Sequence, residues 1–239
     1  LAIAGASTFT VANGQNITLD SDSTFTGAVT FSSAGTIASV TINDSNAFDL
    51  QALTLSGHLT VTAGDDITDS GTVTVGGNLI ATTDANSGVI DMGDLAVAGT
   101  ITLTTEGDGA ATLDNGTANI DIAAASVGGN LTLTSGAAAG ITDSGTVTVT
   151  GDLAATTDAG NGVIDMDQLA VDGSIALVTN GNGAATVVND AAIEFAASTV
   201  RGALTATATA GNITQGAAVA VTGTSSFTTS ESNGTITLS

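Results

Sequence analysis

The chain has 239 residues, with 23 acidic side chains against a single basic one, Arg201, and one histidine, His58; it contains 31 glycines and neither proline nor cysteine. One basic side chain cannot displace the counterions of a phosphate backbone or hold an anionic lipid surface, so nucleic acid and membrane-surface partners are excluded. No apolar run approaches the ~20 residues needed to cross a bilayer, so membrane insertion is excluded too, and disulfides are ruled out.

Thr, Val, Ile, Ala, Gly, Asn, Asp and Ser dominate, the composition of short β-branched strands broken by tight turns. The absence of proline suits strands that must all donate backbone hydrogen bonds. The run ITDSGTVTV occurs at 67–75 and again at 141–149, an offset of 74. GVIDM at 88–92, LAV at 95–97 and GAAT at 109–112 recur at the same offset. An internal repeat of this kind points to stacked units.

Taken in order, apolar-x-apolar strand starts fall at Phe9, Val29, Leu59, Leu79, Ile101, Leu131, Leu153, Ile175, Leu204 and, more weakly, Ser225. The steps alternate between about twenty and about thirty residues, which suits the coils of a parallel β-solenoid. The expected fold is all-β: one β-helix of about ten coils spanning 1–239, grouped in three-coil super-repeats at 53–126 and 127–199 with partial repeats at 1–52 and 200–239. Strand alternation turns Leu59 with Val61, Ile101 with Leu103, Leu131 with Leu133 and Ile175 with Leu177 inward. A second set of inward pairs is Val73 with Val75, Leu95 with Val97, Val147 with Val149 and Leu169 with Val171. Turn formers mark corners at 76–78, 84–88, 106–109 and 181–183.

The longer steps place extra residues at 41–51, 113–123 and 187–196. Excursions from a regular scaffold are where binding surfaces are commonly built, which makes Asp114, Asn115, Asn119, Asn189 and Asp190 candidate partner contacts. The alternative is an extra short strand pair without a partner. The start, LAIAGASTFT, lacks the basic flank of a signal peptide, and the chain reads as an excerpt of something longer.

Ten residues before most strand starts stands an acid or amide: Asp49, Asp69, Asp91, Asp121, Asp143, Asp165, Glu194 and Gln215. In FDL, IDM, IDI and IEF the neighbours on both sides are apolar, so the acid points outward and a carboxylate ladder along one edge is expected. Asp91, Asp121, Asp143 and Asp165 are the candidate metal ligands, for Ca²⁺ between coils; a solvated acidic edge is the other reading. No dense Asp-x-Asp-x-Asp-Gly loop occurs, and no other cofactor is expected.

Each acid recurs at a repeat-equivalent position, as a structural pattern does and a unique active site does not. Without Cys, Tyr or Trp and with one basic residue, a catalytic role is not expected. His58 aligns with Asn78, Asn130 and Asp152 and reads as a corner residue; Arg201 falls where Gly128 does. Outward Thr pairs, Thr60 with Thr62, Thr102 with Thr104, Thr132 with Thr134 and Thr205 with Thr207, raise a further alternative, an ice-binding face, which Ile80, Ala154 and Ala176 interrupt.

GNLTLTS at 129–135, the Ile-Thr-Asp/Gln-x-Gly turn followed by xVxVTG, and GNITQGAAVAVTGTSSFTT at 211–229 resemble repeats of filamentous-haemagglutinin-like adhesins. Those are very large secreted surface proteins of Gram-negative bacteria. The resemblance implies a right-handed parallel β-helix, a secreted or outer-membrane-associated location and a stalk or adhesive role. The partner it implies is a cell-surface, matrix or carbohydrate ligand. The alternative is a calcium-stabilised spacer with no ligand of its own. A segment cut within a repeat also leaves strand edges able to stack end to end.

Overall fold

The computed structural model describes the backbone of residues 1–239 and every side chain except those of Ala85 and Asn86, so part of the expected corner at 84–88 lies outside the described residues. Successive coils pair in parallel, and the described residues form a right-handed parallel β-helix of about 11 turns with no helix. At the ~4.8 Å spacing of paired strands this is a rod roughly 50 Å long.

Register gives the coil length. Val40, Leu59, Leu79 and Ile101 are successive partners, at steps of 19, 20 and 22 residues. Across the core Ala111, Leu131, Leu153 and Ile175 follow one another at steps of 20, 22 and 22. These residues are buried, as are Val61, Leu103, Leu133, Leu177 and the second set of expected inward pairs. Each such burial is worth about 1.5–3 kcal/mol, and slipping the register by one residue would turn the whole column outward.

Among the described residues the expected thirty-residue coils are absent. Leu131 does not lie beside Ile101; it pairs with Ala111 on the opposite side of the rod, and Ile101 pairs with Ile122. A thirty-residue step is therefore a turn and a half. The coil is flattened, with one strand segment on each of two sides, one long and kinked and the other short. Segments 67–75 and 90–97 are long and lie opposite the short Leu59–Ala63 and Ile101–Glu106. Farther along, Leu131–Ser135 and Leu153–Thr157 are short, and the long segments 141–149 and Ile164–Val171 lie across from them.

Long and short thus exchange sides along the rod, and the 74-residue period holds three coils and a further half turn. Ile67 belongs to the 12-stranded sheet, and its repeat partner Ile141 to the 16-stranded one.

Corners stack as closely as strands. Gly77 N–H donates to Gly57 O at 2.7 Å and Gly99 N–H to Gly77 O at 3.0 Å. On the other edge Gly129, Gly151 and Gly173 bond in the same way. At Gly128 a Cβ would overlap the Gly107 carbonyl oxygen, so no larger residue fits. Beside the glycines, side chains continue the ladder: Ser39 Oγ accepts the His58 N–H, His58 Nδ1 accepts the Asn78 N–H at 2.9 Å, and Asn78 Oδ1 accepts the Thr100 N–H. Asn130 and Asp152 do the same toward Asp152 and Ser174. His58 is thus a corner residue, as its alignment indicates.

Because each coil touches only its neighbours, damage stays local. Leu133→Ala should cost about 2–5 kcal/mol. Its first sign in hydrogen exchange should be lost protection at Leu113 and Ala155, the cross-strand partners, with the strands near residue 213 unaffected.

Candidate functional site

The residues with the most constrained polar chemistry sit where long and short segments change sides. There a long strand must pair with a coil that has fewer residues to offer, and its last peptide would be left without a partner. Asn115 supplies the missing peptide from its side chain. Its Oδ1 accepts the Val97 N–H at 2.7 Å, and its Nδ2 donates to Val97 O at 3.0 Å and Asn119 O at 2.7 Å. Asn189 repeats this with Val171 and with Ala192 O.

Both asparagines are 0% exposed. They are therefore internal junctions and not surface contacts, and the segments at 113–123 and 187–196 are largely strand within the ladder instead of projecting excursions. Of the other expected contacts, Asp114 is half-buried and caps Gly116 N–H through Oδ1, and Asn119 is half-buried. Asp190 is exposed on the rim of a groove of about 230 Å³ beside Gln168 and Thr209.

The acids do not form one ladder. Asp49 and Asp91 share a column on one side with Thr68 between them, and Asp121 and Asp165 share a column on the other side with Thr142 between them. The half turn in the repeat makes this division, and carboxylates in a column stand two coils apart. Asp143 and Asp69 turn inward to the corners: Asp143 accepts the Asp167 and Gln168 N–H groups at 2.9 and 3.0 Å, and Asp69 those of Gly93 and Asp94. Burial pushes both carboxyls above the ordinary carboxylate value although these N–H bonds pull the other way. Asp152, exposed, is held below it by the Ser174 N–H and hydroxyl.

Among the described residues no three His, Cys, Asp or Glu side chains converge as a metal site, so Asp91, Asp121, Asp143 and Asp165 are not brought together. The Thr pairs are likewise divided. Thr60, Thr62, Thr82, Thr102 and Thr104 adjoin on one side around Ile80, and Thr132 and Thr134 lie on the other.

Compared with models of known families, residues 37–90, 108–180 and 180–239 match the repeats of unknown function DUF5649. The chain belongs to this repeat family. No curated protein and no solved structure matches it. Each of the three DUF5649 stretches carries one junction position near its start, at Asp44, Asn115 and Asn189. Asp44 is missing from the candidates that strand spacing supplies; aligning IND at 42–44, LDN at 113–115 and VVN at 187–189 is the signal that finds it. It is 0% exposed and accepts the Phe25 N–H through Oδ1 at 3.1 Å, as Asn115 accepts that of Val97.

Two outcomes follow. Asn115→Ala strands the Val97 N–H and two carbonyls in the core, and at about 1–3 kcal/mol for each buried unsatisfied group it should lower stability by about 3 kcal/mol or more. Asp114→Ala should stay within about 0.5 kcal/mol by urea denaturation.

In a carboxyl NMR titration Asp69 and Asp143 should titrate above, and Asp152 below, the ordinary 3.8. The first two carboxyls bind protons more tightly folded than unfolded. Their contribution therefore makes stability fall as pH rises from that value through their raised folded values. Asp152 contributes stability above the ordinary value, which is lost as pH falls through its lowered one.

Proposed function

We propose that this segment is a rigid stalk of a large secreted or cell-surface protein, and that its task is to hold other parts of that protein at a distance. One observation carries the reading: the apolar core is continuous through every change of side, and at Asn115 and Asn189 a buried amide also closes the backbone ladder. Coils joined in this way are held as one stiff body. The likeness of the repeats to filamentous-haemagglutinin-like adhesins supports the surface location and an adhesive setting, in which a cell-surface, matrix or carbohydrate ligand is engaged by the protein the rod carries. With no excursion from its sides among the described residues, the rod is better suited to reach than to recognition. Its formal charge of −22 keeps neighbouring rods apart and disfavours lateral bundling. Exposed strand edges of the isolated segment favour end-to-end pairing at high concentration.

Deleting residues 67–140 from the intact surface protein removes one 74-residue period and joins equivalent positions. The isolated segment should stay folded and shorten by about 17 Å in small-angle scattering, three and a half coils at ~4.8 Å each. Attachment of cells carrying the deletion should recover when an unrelated β-helix of the lost length is inserted. Full surface display without that recovery would place recognition in the side chains of this segment and end the stalk reading.

A further inference from the structure

Asp44 holds the junction position that asparagine holds in both later repeats, and a carboxylate can do only half of the amide's work. Its Oδ1 accepts the Phe25 and Asn46 N–H groups at 3.1 and 3.3 Å. Its Oδ2 is buried without a partner. In the aligned repeats Phe25 stands where Val97 and Val171 stand, and Ala47 where Asn119 and Ala192 stand. The carbonyls of those residues receive the two N–H bonds of the junction amide. Asp44 Oδ2 therefore takes the place of a donor that faces two carbonyl oxygens, and a negative oxygen buried there without a counter-charge is strongly unfavourable.

A second, independent feature lies at the same place. Phe25, Asp44, Ala47, Phe48, Asp49 and Gln51 line a cavity of about 240 Å³. It exists because the strand Val29–Ser33 pairs with Ser7–Val11 alone and is not joined to Phe48–Leu50. The equivalent strands of the later repeats are joined, through Ile101 with Ile122 and Ile175 with Phe195. The open ladder occurs in the repeat that carries the aspartate.

We propose that Asp44 anchors a hard, oxygen-seeking divalent cation of the Ca²⁺ class in this cavity, which takes the place of the missing amide hydrogens. Asp44 Oδ2 and the Phe25 and Ala47 carbonyls are its protein ligands, with water completing the six to eight oxygens such an ion takes. Asp49 accepts from Gln51, Thr68 and Ser70, so it contributes charge at the mouth without being a ligand. The acidic surface raises the local cation concentration. This site is distinct from the outward acids and does not depend on the stalk reading.

The test compares thermal unfolding of the 1–239 segment and of Asp44→Asn in excess EGTA, CaCl₂, MgCl₂ and KCl. At 100 times the dissociation constant Ca²⁺ should raise the folding constant of the native sequence about 100-fold, a shift of several degrees. Asp44→Asn, which restores the amide, should melt above the native sequence in EGTA and lose the calcium response. Should the variant fold poorly, exchange of the Phe25 and Asn46 amides in the native sequence should slow at least tenfold with CaCl₂. An equal calcium response in both proteins, or none in the native sequence, overturns the site. An equal response to MgCl₂ or KCl overturns the assignment to the calcium class.

Discussion

Parallel backbone pairing of each coil with the one above and the one below is the constraint from which the remaining features of this molecule follow. Every strand residue must both donate and accept along the rod axis, so proline has no place and each coil must match its neighbours in length. Corners must close at the same spacing as strands, which leaves no room for side chains at positions such as Gly128. Where adjacent coils differ in the number of residues on a side, the ladder would break, and an inward amide supplies the missing peptide group. Asparagine is suited to this because its side chain carries one carbonyl and one N–H₂ in the geometry of a backbone amide.

The half-turn in the repeat also shapes the electrostatics. Identical stretches land on opposite sides, so acids that recur every 74 residues are shared between two faces. Within a face a threonine intervenes, and carboxylates lie about two strand spacings apart. In water the repulsion of two unit charges falls from roughly 0.9 kcal/mol at one spacing to roughly 0.4 kcal/mol at two, and the larger separation exceeds the ~8 Å Debye length. A rod can therefore carry a large negative charge without splitting its own ladder. Of the acids that turn inward, Asp69 and Asp143 are held by pairs of backbone N–H groups and brace corners.

A continuous core with matched junctions is a mechanical property before it is a chemical one. Residues expected to meet a partner, Asn115 and Asn189, serve the interior, and removing them from the surface shifts the functional reading from presented loops toward reach. The first repeat departs from this regularity: its junction amide is replaced by a carboxylate, and its neighbouring strand Val29–Ser33 is joined to the coil before it but not to Phe48–Leu50 after it. Both departures fall in one cavity, which is why chemistry is assigned there and not to the outward acids.

Local pattern determined the coil. Alternation at Leu59 and Val61 or Leu131 and Leu133 depends only on the two-residue period of a strand, and the glycine and asparagine corners depend only on which residues tolerate a tight turn. Those features, with the parallel stacking and the corner role of His58, were legible in the sequence by itself. Which columns share a side was not, because a step of thirty residues reads equally as one long coil or as a turn and a half, and only the partner of Ile101 separates the two. The tertiary structure likewise decided that Asn115 and Asn189 face the core and that Asp44 lacks a donor there. A polar side chain one place beyond a strand has no fixed direction until the coil beside it shows an unpaired peptide for it to meet.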